Sequence, residues 1–183
     1  MAETRTGDIV DLLSQDHQEA KQLLNQITSA APDARNDLFW ELMPALVRHE
    51  VAEEIVVYPT IRSEAPDGDA EVEPRLKEQQ QAEEMLSSME KLDPASEEFG
   101  QKLSQLRHDV LEHAQAEEQN IFPLLRALEH EEERAELGAR YEKAKASAPT
   151  HPHPNAPDTP PGNKVLGPVA AFADKIRDAA KGL

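Results

Sequence analysis

His49-Glu-Val-Ala-Glu53-Glu54-Ile-Val-Val57-Tyr58-Pro59 recurs further along the chain as His113-Ala-Gln-Ala-Glu117-Glu118-Gln-Asn-Ile121-Phe122-Pro123. A His, an Ala, two consecutive Glu, a β-branched residue, an aromatic and a Pro hold the same offsets in both. The residues upstream repeat as well. Asp16-His17-Gln18, with Ala20 and Leu23-Leu24, is echoed by Glu78-Gln79-Gln80, with Ala82 and Met85-Leu86. The chain therefore contains one helix pair, written twice.

Both copies are helical by pattern. Apolar residues recur at i, i+3, i+4 and i+7, glycine is scarce, and no alternating strand pattern occurs before about residue 146. A first helix is predicted over Asp8 to Thr28. Ala31-Pro32-Asp33 opens a second, since Pro is tolerated at the first helical position, with Pro44 predicting a kink and Pro59 a break. The turn chemistry of Ala65-Pro66-Asp67-Gly68-Asp69 separates it from a third helix. Asp93-Pro94 starts a fourth, whose charged turns run on to about Ala146. Four amphipathic helices with short connections predict an all-α, up-down-up-down four-helix bundle over residues 1–146.

The repeat puts polar groups on the inward faces. With Leu46 as zero and about 100° per residue, Leu42 falls at about −40°, Val57 at about +20°, Glu53 at about −20° and His49 at about −60°. Leu106, Ile121, Glu117 and His113 take the same angles around Val110. His17 lies between Leu13, Ala20 and Leu24 on the inner face of the first helix. An unpaired buried carboxylate costs several kcal/mol or takes up a proton. Two carboxylates and three imidazoles converging from separate helices are instead what a cation needs, and its binding offsets the desolvation. Glu54 and Glu118 fall at the edge of the stripe. Tyr58 and Phe122 read as aromatic packing, with Tyr58 within reach of the site.

Of 183 residues, 36 are acidic and 19 basic, a net charge of −17 that argues against a nucleic-acid partner because no basic patch overrides it. The absence of cysteine excludes disulfides, thiolate metal sites and a Cys nucleophile. No secretory signal and no membrane-spanning stretch are legible, so a cytoplasmic protein is expected, with a monomer favoured.

His, then His-x-x-x-Glu, then a second His-x-x-x-Glu along a four-helix bundle resembles the haemerythrin-like, HHE cation-binding family, over about residues 8 to 130. The resemblance implies two iron ions in an oxo- or hydroxo-bridged centre. It makes His17, His49, Glu53, His113 and Glu117 the ligands, with Glu53 and Glu117 bridging. This chain departs from the pattern at Gln79, where the family has a His; His108 lies off the face of His113. Glu83, one turn after Gln79, is the carboxylate expected to replace the missing imidazole, and Asp109 is a weaker supporting candidate.

The resemblance further implies a small diatomic or peroxide ligand: hydrogen peroxide, nitric oxide or O2. A carboxylate-rich site suits redox turnover of such an oxidant in stress defence. The alternative is non-catalytic binding, storage or sensing of O2, NO or iron. A ferritin-type bundle predicts Glu-x-x-His motifs, and the residues three before His17, His49, His108, His113 and His130 are Ser14, Leu46, Gln105, Val110 and Ala127.

Composition changes at Ser147. The proline-rich stretch that follows predicts an extended linker over 147–163, in which His151 and His153 belong to a flexible segment. A short amphipathic helix is predicted over 164–183, with Val169, Phe172, Ala173 and Ile176 on one side. This arrangement is similar to the tails of actinobacterial family members.

Overall fold

The computed structural model describes residues 6–128, 130–156, 162, 170, 171, 173–175, 177 and 178. Asp8 caps the first helix, α1 (Ile9–Ser29), by accepting from the Val10 backbone at 2.9 Å. Next come α2 (Arg35–Ala52), a π-helical turn (Glu53–Val57) and α3 (Tyr58–Glu64). They are followed by α4 (Gly68–Met89), α5 (Glu97–Leu128) and α6 (Glu131–Ser147).

Two apolar clusters fix the directions of the helices. One holds Ile9 and Leu13 from the start of α1, Val56 and Ile61 from the π turn and α3, Val72 and Leu76 from the start of α4, and Ile121 and Leu125 from the end of α5. The other holds Leu24 and Ile27 from the end of α1, Phe39 and Leu42 from the start of α2, Leu86 and Met89 from the end of α4, and Phe99 and Leu103 from the start of α5. Chain direction thus reverses at each step, and the expected up-down-up-down bundle is the fold.

Two details differ from the reading of the sequence. Pro59 does not end its helix. It sits in the first turn of α3, where its missing N–H is tolerated, and the Tyr58 backbone N–H reaches five residues back to the Glu53 carbonyl. The second copy of the motif carries Pro123 inside α5. The charged turns after residue 130 are also not a continuation of α5, but a separate helix.

That helix, α6, packs across the start of α1. Arg134 donates to Asp8 at 2.5 Å. A Cβ on Gly138 would stand only 2.2 Å from the Gly7 carbonyl oxygen, so the close approach requires glycine here. Leu137, Tyr141 and Ala144 complete the first apolar cluster.

The beginning of the proline-rich stretch is docked too. Ala148, Pro149, His151 and Pro152 are buried, where composition predicts an exposed linker. His151 meets Trp40 edge-on with ring centroids 5.6 Å apart. Residues 157–161, and Val169, Phe172 and Ile176 of the expected terminal amphipathic face, lie outside the described residues. No helix among the described residues is long and apolar enough to cross a membrane.

Candidate metal centre

Between the two apolar clusters lies a layer of buried polar side chains: His17 from α1, His49 and Glu50 from α2, Glu53 from the π turn, Gln79 from α4, and His113 and Glu117 from α5. Glu53 and Glu117 are fully withdrawn from water, at 0 % exposure each. One ligand atom from each of His17, His49, Glu53 and Glu117 falls within 4.8 Å of the other three. His113 joins this group through Glu117, with Nε2 3.4 Å from Oε2.

The three imidazoles are held alike. Nδ1 of His17 lies 3.0 Å from Glu118 Oε1, and Nδ1 of His113 lies 2.9 Å from Glu78 Oε2. Nδ1 of His49 lies 2.7 Å from the Tyr141 hydroxyl, which donates at 2.6 Å to Asp16 Oδ2. A carboxylate only accepts, so Nδ1 of His17 and of His113 carries the proton and donates. Each Nε2 then points inward. That outward N–H, inward lone pair arrangement is how metal-ligating imidazoles are oriented. The His17 ring also stacks on Phe122, with centroids 5.3 Å apart.

The inward atoms lack hydrogen-bond partners. Nε2 of His17 and His113, Oε1 of Glu53, Oε2 of Glu117, Oε2 of Glu50 and Oε1 of Gln79 are all buried without one. Each such orphan costs about 1–3 kcal/mol, more for a charge. So many in one layer call for a cation, which the nitrogen and oxygen donors here suit.

In the metal-free chain, protons serve instead. Burial raises Glu53, and the neighbouring Glu117 raises it further. Burial also pushes Glu117 up, but His113 and His17 outweigh this and hold it well below the carboxylate range. His113 is lifted to about 10 despite burial, by Glu117 and Glu78. His17 is raised despite burial by Glu117 and Glu118. His49, by contrast, is lowered by burial against the pull of Asp16.

The family profile of the hemerythrin HHE cation binding domain matches residues 8–125. This chain belongs to that family. It is 34% identical over 176 residues to an uncharacterized hemerythrin-like protein of Schizosaccharomyces pombe, covering 93% of this chain and 85% of the other. It is also 26% identical over 140 residues to a DNA nickase of Nostoc, covering 76% of this chain but only 39% of that protein. No solved structure matches the chain.

Against the hemerythrin pattern, the layer brings His17, His49, Glu53, His113 and Glu117 together. Glu83 is not among them: it is half-buried on α4, and its Oε1 accepts from the His153 backbone at 3.5 Å. Gln79 stands in the layer as a donor. Its Nε2 lies 2.8 Å from Glu53 Oε2 and 2.7 Å from the Tyr58 hydroxyl, which in turn donates to Glu117 Oε1 at 2.8 Å. Asp109 lines the adjoining cavity and accepts from Gln105 at 2.8 Å. His108 is exposed beside Glu112.

Four roles were not assigned from the sequence. Asp16 and Glu78 each precede the His or Gln of their repeat, and each braces the imidazole carried by the second helix of its own pair. The echo of an acid at those two places was the available signal. Tyr141 and Glu50 gave none, since one lies on a helix outside the repeat and the other is one more Glu in an acidic chain.

Proposed function

We propose that this hemerythrin-like chain holds two iron ions between His17, His49, Glu53, His113 and Glu117, and reacts there with a small oxidant such as hydrogen peroxide, nitric oxide or O2. The observation that carries the reading is the convergence of inward, partnerless Nε2 and carboxylate oxygens, each imidazole braced from behind. Iron would supply the electron exchange that no side chain here provides.

The chain's own residues shape what reaches the site. Beside the layer is a cavity of about 30 Å³, walled by Ala20, Leu46, Ala82 and Val110 as well as by His17, Glu50, Gln79 and His113. It has room for a water-sized or diatomic guest, and part of its wall is aliphatic. The Tyr58 hydroxyl holds a proton at Oη toward Glu117 Oε1. Burial, reinforced by Glu117 and Glu53, keeps that phenol protonated. Gln79 anchors the same oxygen, so the proton is presented from a fixed point. Such a reaction would serve oxidative or nitrosative stress defence in the cytoplasm, and the nitrogen and oxygen donor set needs no sulfur for it.

The test is metal stoichiometry and the optical spectrum of aerobically purified protein, followed by peroxide and nitric-oxide consumption. Two irons per chain, with the charge-transfer bands of a bridged ferric pair, are expected. Fewer than two metals per chain overturns the reading.

A further inference from the structure

Gln79 leaves the two halves of the layer unequal. His17, His49, Glu53 and Glu117 form one tight group of donors, whereas His113 and the shared Glu117 face a side where the repeat supplies an amide. A neutral amide is a weak ligand for iron: its nitrogen is engaged by Glu53 and Tyr58, and its one inward oxygen, Oε1, brings no charge to offset the metal's. One more anionic donor is needed there. Glu83, one turn further along α4, is turned to the backbone of His153.

Glu50 is placed to supply it. It follows His49 on α2, is 5 % exposed, and has Oε2 buried without a hydrogen-bond partner. It lines the same cavity as Gln79 and His113. The second copy of the motif has Ala114 at this offset, and Ala114 lines the cavity too. The extra carboxylate therefore comes from one helix pair and enters the space that a small residue leaves on the other. An uncompensated buried carboxylate opposes folding.

We propose that Glu50 is a ligand of the second ion, the one held by His113 and Glu117, and stands in for the imidazole that Gln79 replaces. The inference rests on the two-ion reading above. It gives the site three carboxylates against three imidazoles without using Glu83.

Cobalt(II) titration of the full-length, metal-free chain, read by its visible absorption and by calorimetry, tests it. Wild type is expected to take up two equivalents. In Glu50→Gln the first equivalent binds within twofold of wild type and the second at least ~10-fold more weakly, with a changed second-step spectrum, as loss of one ligand predicts. Glu83→Gln behaves as wild type. Glu50→Leu provides a readout independent of titration: without metal it melts higher than wild type, and with metal lower. If wild type binds two equivalents and both Glu50 variants match it in affinity, spectrum and melting, the assignment of Glu50 is wrong while the two-ion centre stands. Uptake of a single equivalent by wild type overturns both.

Discussion

The Tyr141 hydroxyl lies 2.7 Å from Nδ1 of His49, and its one proton is directed to Asp16, 2.6 Å away. The histidine nitrogen must therefore be the donor of that pair. This fixes the tautomer and leaves the Nε2 lone pair facing Glu53, 3.2 Å away. Lys145 completes the brace by donating to Asp16 at 2.6 Å. Both burial-opposing partners, His49 and Lys145, keep Asp16 well below the usual carboxylate range. A helix outside the repeat thus orients a residue inside it.

Tyr141→Phe removes only the hydroxyl. The cost to folding is expected to be about 1 kcal/mol, as for a typical lost hydrogen bond. Metal affinity, measured by competition with a chelator, should fall by about 10-fold because the His49 ring loses its fixed tautomer. Unchanged affinity would show that Asp16 alone sets the ring.

How far the site could be read from the sequence follows from which contacts were local. His49 with Glu53, and His113 with Glu117, are one helical turn apart, so periodicity alone turned them inward. The four-helix topology followed from the same periodicity. Glu83 lies one turn from Gln79, but its carboxylate accepts from the His153 backbone, 70 residues away, a contact that local spacing does not encode. The contact of Tyr141 with His49 spans 92 residues and carries no motif. The end of α5 was missed for a different reason: no Gly or Pro marks the junction of α5 and α6, so the helical pattern appeared continuous.

Gln79→Leu tests the amide as a structural donor. The substitution keeps the volume of a 2 %-exposed side chain but removes both hydrogen bonds from Nε2. Metal-free protein should lose about 2 kcal/mol in urea unfolding, from two bonds of about 1 kcal/mol each. A midpoint equal to wild type would mean that the amide contributes nothing without metal.

A rise in pH should act on the metal-free form and leave the loaded form unchanged. In the metal-free chain His113 is raised to about 10 and His17 is raised with it. The stability from those charged imidazoles is complete below the unfolded value of about 6.5 and is lost as pH rises toward about 10. Glu53, also raised, favours the low-pH side of its own range in the same sense. Metal binding displaces those protons, so the loaded protein has nothing left to lose over this interval. Melting temperature followed upward from about pH 6.5 should fall in EDTA and stay level in loaded protein. Parallel curves would refute the exchange of protons for metal.

The docked tail can be followed through the chain's one tryptophan. His151 is 1 % exposed, pairs through Nδ1 with Glu90, and lies through Nε2 2.7 Å from Asp178. Its backbone N–H and that of Thr150 both donate to Asp174, at 3.1 and 3.0 Å. His151→Ala removes the two side-chain contacts and the edge of the Trp40 contact, but leaves the backbone pair. Losing hydrogen bonds to charged groups weakens docking by about 2 kcal/mol. Local opening should then rise by more than ~10-fold, as amide exchange over residues 148–156 would report. Trp40 emission should shift to the red as that face meets water. Metal stoichiometry should not change, because the side-chain partners of His151 are Glu90, Asp178 and Trp40, none of which belongs to the polar layer. Loss of metal in this variant would instead make the tail part of the site.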